Sequence, residues 1–261
     1  MVSKYWESTT SYRPLLSPKE LDERTLIPAK EGTLQIELVA ATRADGLLAY
    51  PLEPSFNALL RELKAGNPVI VLVNRGYAWY PFWHYVTVTG YDADHEKILA
   101  HFSDLPDEAI SLSTFSAIWN RSGKWGMVPV PPDRIPATAQ RSVWLRAAYD
   151  LETTGRSKEA LIAYQYGTQR WPDDVPILFA LANAQYRAGQ MPEAEKVYRK
   201  ILEMDPSHPY ALNNLADLMC QKGRGKEALK LLDRNVSGDE KARSQIEATR
   251  QEIRSGCPPR R

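Results

Sequence analysis

Hydrophobic and polar positions follow different periods in the two halves of the chain. In the first half, "SFNALLRELKAG" sets Phe56, Leu59, Leu60 and Leu63 on one helical face and stops at Gly66. "TLQIELVAATRADG", from Thr33, predicts a helix ended by Gly46. Upstream, "SPKELDE" offers Ser17 as an N-cap, a proline in the first turn and Glu20 at the capping-box position. The pattern then changes. "NPVIVLVN" is a continuous apolar run over Pro68–Val73, the length of a strand. "HYVTVTGYD" and "EKILAHF" read as the next strands, a short helix is expected near Thr114–Trp119, and "KWGMVPV" from Lys124 closes the sheet. Helices first, then strands with short connections, is an α+β order with an antiparallel sheet. "PVPPDRIPATAQR", Pro129 to Arg141, reads as a Pro-rich linker.

After it the apolar period is helical and the whole pattern repeats. Gly155, Gly189 and Gly223 lie 34 residues apart, as do Ala160, Ala194 and Ala228, and Ala148, Ala182 and Ala216. Pro172 and Pro206 keep the same spacing. This period, with small residues at fixed points, is the tetratricopeptide signature. Alanine recurs where two helices approach closely, glycine supplies the left-handed turn between them, and proline ends the unit. Trp144 stands where the first repeat favours it. The second repeat runs from Val175 to His208, and the third starts at Pro209 and decays after Leu232. Between Asp239 and Ser255, Ala242, Ile246, Thr249 and Ile253 form one thin apolar stripe on a charged helix, as a capping helix requires. The expected domains are therefore an α+β unit over 1–130, a linker over 131–141, and an all-α solenoid of three repeats plus cap over 142–255.

Composition narrows the function classes. The 261 residues are 43% hydrophobic and 25% charged, with a net charge of +1, ordinary for a globular chain of two domains. No basic stripe suits nucleic acid. No apolar run is long enough to span a membrane, and "MVSKYWESTTSYRPLL" lacks a signal-peptide core, so as written the chain is expected in the cytoplasm. Export or membrane attachment would need a signal upstream of Met1. Cys220 and Cys257 lack metal-ligand spacing, and no metal or other cofactor is implied. Cys220 is expected as an inert apolar group in a repeat core and Cys257 as part of a Pro/Arg tail, with a bridge between the two as the less favoured alternative.

The first half carries a resemblance. "LIPAKEGTLQIELVAATRADG", "NRGYAWYPFWHYVTVTGYD" and "PPDRIPATA", in that order, resemble papain-like cysteine peptidases of the type that processes double-glycine bacteriocin leaders, in the bacterial form joined to tetratricopeptide repeats. The resemblance covers the whole chain. It implies a catalytic cysteine at the start of a long helix, a facing histidine on the sheet, a glutamine for the oxyanion, and an acid or amide orienting the histidine. His84 matches the histidine. "MVSKYW" resembles the end of the nucleophile helix, which would place the cysteine about two helical turns before Met1. For the orienting residue the likeness points to His101, Ser103 or Asp104, with Asp92 too far along the strand.

Tyr77, Trp79, Tyr80, Phe82 and Trp83 surround His84 in sequence. They read equally as packing or as the wall of a substrate groove. Asn74 sits near the same groove, and His95, in "DADHEK", reads as a solvated turn residue. Two functions follow. One is a cysteine peptidase with a repeat module that recruits a protein or peptide, its nucleophile lying upstream. The other is an inactive peptidase relic serving as a repeat-based adaptor.

Overall fold

The computed structural model describes residues 2–25, 33–102, 108–233 and 240–257. The chain divides into two compact units, Met1–Tyr166 and Gly167–Arg261. The first opens with α1 (Val2–Thr9), α2 (Pro18–Thr25), α3 (Gln35–Ala44), β1 (Leu48–Pro51) and α4 (Phe56–Lys64). β2 (Val69–Asn74), β3 (Trp83–Asp92), β4 (Lys97–His101), β5 (Glu108–Ser111), α5 (Leu112–Asn120), β6 (Gly126–Val130) and α6 (Arg141–Thr153) follow. α7 (Ser157–Arg170) runs across the division. The second unit holds α8 (Val175–Arg187), α9 (Met191–Met204), α10 (Pro209–Gln221), α11 (Gly225–Leu232) and α12 (Glu240–Arg254).

Among the described residues the strands form one six-stranded sheet, ordered β1-β6-β2-β3-β4-β5 and antiparallel at every pairing. Val69, Val71 and Val73 lie directly opposite Val88, Val86 and His84, so all six share one face. The five valines are fully buried. The other face carries Ile70 and Thr87, which line a cavity with Val2, Leu38 and Ala41 and so lie beneath α1 and α3. α4 and α5 pack on β2 and β3 and close the valine face.

Two buried carboxylates tie the first unit together. Asp45 accepts Ser3 Oγ and Tyr12 Oη at 2.6 Å, Leu15 N at 2.8 Å and Leu16 N at 2.9 Å, fastening α1 and the chain after it to the end of α3. Burial, with Asp45 alongside, pushes the Tyr12 phenol well above its ordinary range. Glu62, on α4, is fully buried. It accepts Asn67 Nδ2, Thr138 N and Thr138 Oγ1, each at 2.6 Å, and Ala137 N at 3.1 Å. Arg134 adds bonds to Asn67 Oδ1 and the Ala65 carbonyl, and its guanidinium lies 4.9 Å from the Trp6 ring centre. The Pro-rich stretch expected as a linker is thus a strap stitched across the first unit. Rigid prolines lower the cost of holding it extended.

The repeats follow their period. Gly155, Gly189 and Gly223 have φ of 83°, 75° and 74°, in open space where only the left-handed turn demands glycine. The six periodic alanines are fully buried. Ala242, Ile246, Thr249 and Ile253 form the buried stripe of α12. One expectation is corrected. Cys220 is not an unpaired apolar filler but is bonded to Cys257, with Cα atoms 5.4 Å apart across 37 residues. The tail turns back at Gly256 and Cys257, both at positive φ, and this brings the two sulfurs together. Closing a loop of this length stabilises the unit by about 4 kcal/mol through the unfolded chain. Glu195 anchors the same unit, accepting Lys222 Nζ at 2.8 Å, Arg199 Nη2 at 2.7 Å and Arg224 Nη1 at 2.6 Å. These cations, Lys222 foremost, lower its pKa from 4.5 to about 2.

Glu62→Ala leaves the Thr138 N–H and hydroxyl buried without an acceptor. The loss should be about 3 kcal/mol, measured by urea unfolding. A loss below about 1 kcal/mol would remove Glu62 from this role. Because its folded pKa is depressed, Glu195 stabilises above its ordinary range. The gap in unfolding midpoint between wild type and Glu195→Gln should be full at pH 7 and close as pH falls from 4.5 toward 2.

Candidate functional site

The hairpin between β2 and β3 builds the site. Asn74, buried at the end of β2, turns its side chain inward on the loop. Its Oδ1 accepts Gly76 N and Phe82 N, both at 2.9 Å, and its Nδ2 donates to the Tyr77 carbonyl at 3.4 Å. Gly76 is obligatory here, because an added Cβ would lie 2.8 Å from Phe82 N. Tyr77 and Tyr80 exchange backbone hydrogen bonds at the tip. The hairpin is therefore rigid, and it holds its aromatic side chains outward. Trp79 is 81% exposed, Tyr80 71%, Tyr77 67%, Phe82 60% and Trp83 49%. Tyr77 and Trp79 stack with ring centres 5.6 Å apart.

Beside the hairpin lies a groove of about 1000 Å³ at the end of the sheet. Leu34 and Gln35 at the start of α3 form one wall. Leu72, Trp83 and Tyr85 come from the sheet, Phe82 from the hairpin, and Arg121 and Ser122 from the turn after α5. Tyr85 packs edge-on against Trp125, and burial first, then the charge of Glu37, pushes its pKa up to about 12. Of the five sequence-predicted aromatics, Phe82 and Trp83 line the groove. Tyr77, Trp79 and Tyr80 stand on the hairpin tip outside its lining.

His84 sits half-buried at the groove's rim, the last member of the valine row. Its Nε2 is 2.5 Å from the Phe102 carbonyl oxygen. A carbonyl only accepts, so Nε2 carries the proton in the neutral ring and Nδ1 keeps the lone pair. A main-chain carbonyl on β4's extension thus holds the ring. His101 pairs with Thr87, three residues along β3 from His84 and on the opposite face of the sheet. Ser103 and Asp104 lie outside the described residues. Asp92 belongs to the far turn, where its carboxylate takes the Asp94 and His95 N–H groups and the His95 ring at 2.8 Å. His95 is thus a turn-closing partner rather than merely solvated, and its bond is the chief reason the Asp92 carboxyl titrates below its usual range. Sequence reading missed Arg121 and the Phe102 carbonyl. A carbonyl leaves no side-chain signature, and "WNRSG" gives Arg121 no motif.

The order of elements, the histidine at the mouth of β3 and the 34-residue helical pairs meet in the comparisons with known proteins. Residues 40–127 match the Peptidase_C39 like family, and residues 145–209 and 179–242 match the tetratricopeptide repeat. The chain joins a Peptidase_C39-like domain to tetratricopeptide repeats. The Cellulose synthase operon protein C of Pseudomonas fluorescens (strain SBW25) is 35% identical over 94 residues, 36% of this chain. The chain spans only 7% of that relative's length. A tetratricopeptide repeat protein from Parabacteroides merdae is 21% identical, with a TM-score of 0.39 over 44% of this chain and 46% of its own. The Yersinia enterocolitica secretion chaperone SycD, solved with a peptide of the translocator YopD, is 18% identical, with a TM-score of 0.40 over 45% of this chain and 95% of its own. In the Peptidase_C39-like domain, as in the repeats, no described helix is long and apolar enough to cross a membrane.

The tautomer of His84 is directly measurable. Long-range 15N correlation spectra of the neutral ring should show a protonated Nε2 and an unprotonated Nδ1, with the pattern lost in His84→Asn. The reverse tautomer would mean the Phe102 carbonyl does not hold the ring.

Proposed function

We propose that residues 1–261 bind peptides rather than cut them, with the Peptidase_C39-like groove as one peptide site and the repeats as the module that engages a protein partner. One observation carries this reading. The chain has two cysteines, and they are bonded to each other, so it offers no thiol for His84 to activate. What remains at the sheet's end is what binding needs: a concave aromatic surface and a few fixed polar groups. The hairpin that shapes it is rigid before any ligand arrives, which lowers the ordering cost of binding.

A second reading is peptide-bond hydrolysis by a thiol outside these residues. The held His84 ring favours it, because Nδ1 keeps a lone pair at the groove's rim. The disulfide also supports maturation in an oxidising compartment, against the cytoplasmic expectation. Mass spectrometry of the protein from its own cells decides both points, reading the N-terminus and the thiol state together. An added N-terminal segment bearing a cysteine, with cleavage abolished by His84→Ala, would replace the binding reading.

The purified chain should leave peptide reporters intact. Peptides with apolar side chains should quench its tryptophan fluorescence saturably, and Trp83→Ala should weaken them about tenfold, one large aromatic contact's worth. Cleavage by the chain itself, or binding indifferent to Trp83, would sink this proposal.

A further inference from the structure

Arg121 is the strongest feature of the groove that the family likeness does not account for. It caps α5, and its Nη1 donates to the Gly76 carbonyl at 2.7 Å and the Asn74 carbonyl at 3.3 Å. Those two bonds use both hydrogens of Nη1 and fix the guanidinium against the hairpin. A guanidinium has five N–H donors, so three remain on Nη2 and Nε. The side chain is exposed and lines the groove. Among the described residues no carboxylate lines that groove. Glu37, which feels Tyr85, turns its own carboxylate back to the Leu34 N–H at 3.1 Å. Among the described residues the groove therefore joins an apolar wall, from Leu72, Phe82, Trp83 and Tyr85, to one anchored cation with no carboxylate lining it. A ligand that matches it has an apolar body and a single anionic end.

Resting on the peptide-binding reading, we propose that Arg121 receives the free C-terminal carboxylate of a peptide whose last residues are aromatic or aliphatic. A planar guanidinium with its remaining donors outward suits a carboxylate, and a charge-assisted pair is about twice as strong as a neutral one. The pre-anchored Nη1 lowers the side-chain entropy lost on capture. The Trp83 and Tyr85 rings, on one face of β3, then take the terminal side chains.

The test uses the whole chain and three N-acetylated probes: Ala-Ala-Ala-Phe as the free acid, the same peptide as its carboxamide, and a carboxamide carrying an internal glutamate. Calorimetric titration should show the acid binding about tenfold tighter than either amide, with an affinity that falls as salt rises. Arg121→Gln should bring the acid down to the level of the amides. Equal binding of acid and simple amide by the wild type would overturn the carboxylate assignment while leaving peptide binding intact. An internal-glutamate amide as tight as the acid would overturn the terminal source. Failure of all three to bind would overturn the inference together with the reading it rests on. The wild-type comparison and its salt dependence decide the matter even where Arg121→Gln loosens the hairpin.

Discussion

The buried Glu62 carboxylate is the constraint on which the first unit depends. An ionisable group in a protein interior is costly unless every lone pair is met. Here the strap residues Ala137 and Thr138 meet them, together with Asn67. The strap cannot leave without stranding that carboxylate, and the carboxylate cannot be satisfied without the strap. The consequence reaches Tyr50 on β1, whose hydroxyl accepts the Gln140 N–H at 3.0 Å just before α6 begins. The compact unit then ends at Tyr166, inside α7, rather than at the Pro-rich stretch. Asp45 does at the other edge what Glu62 does here, gathering α1 and its following loop onto the end of α3. Both acids stand at the C-terminal ends of helices, and each takes backbone N–H groups from a loop segment that no helix or sheet pairs.

The groove inherits its shape from the same economy. Where β6 stops pairing with β2, the open edge of β2 is met by the turn after α5. Ser122 donates to the Leu72 carbonyl and Arg121 to those of Asn74 and Gly76. Asn74 then satisfies the inner N–H groups of the hairpin. Each of these polar residues is spent on the main chain, and their sum is a hairpin stiff enough to hold five large aromatic side chains in water. A soluble surface seldom carries so many apolar rings together without a partner.

How much of this could be read in the sequence depended on period. The repeats were legible almost residue by residue, because glycine, alanine and proline each answer to a local backbone need that recurs every 34 residues. β2, β3, β4 and β6 were legible as short apolar runs, and the Ser17–Glu20 capping box formed as expected, with Ser17 N and Oγ bonded to Glu20 Oε2. β1 and β5 were not. Each is four residues long, one pressed between a helix end and a proline, the other with little alternation to see. The strap was misread for a physical reason as well. Prolines signal an extended backbone, but whether that backbone is free or fastened depends on a glutamate about 75 residues earlier. The Cys220–Cys257 bond was likewise hidden, because it depends on the tail folding back at Gly256.

His84 shows why position and role are separate questions. In a cysteine peptidase the imidazole must become a cation beside a thiolate, and a carboxylate partner stabilises that cation by its charge. The Phe102 carbonyl is a dipole. It fixes the ring and its tautomer but contributes far less to an imidazolium. The same ring stands at the rim of a groove whose one anchored charge, among the described residues, is Arg121. On the proposed binding reading, the histidine of the peptidase-like strand and the Arg121 guanidinium are polar groups of one aromatic groove. That reading asks nothing of a thiol.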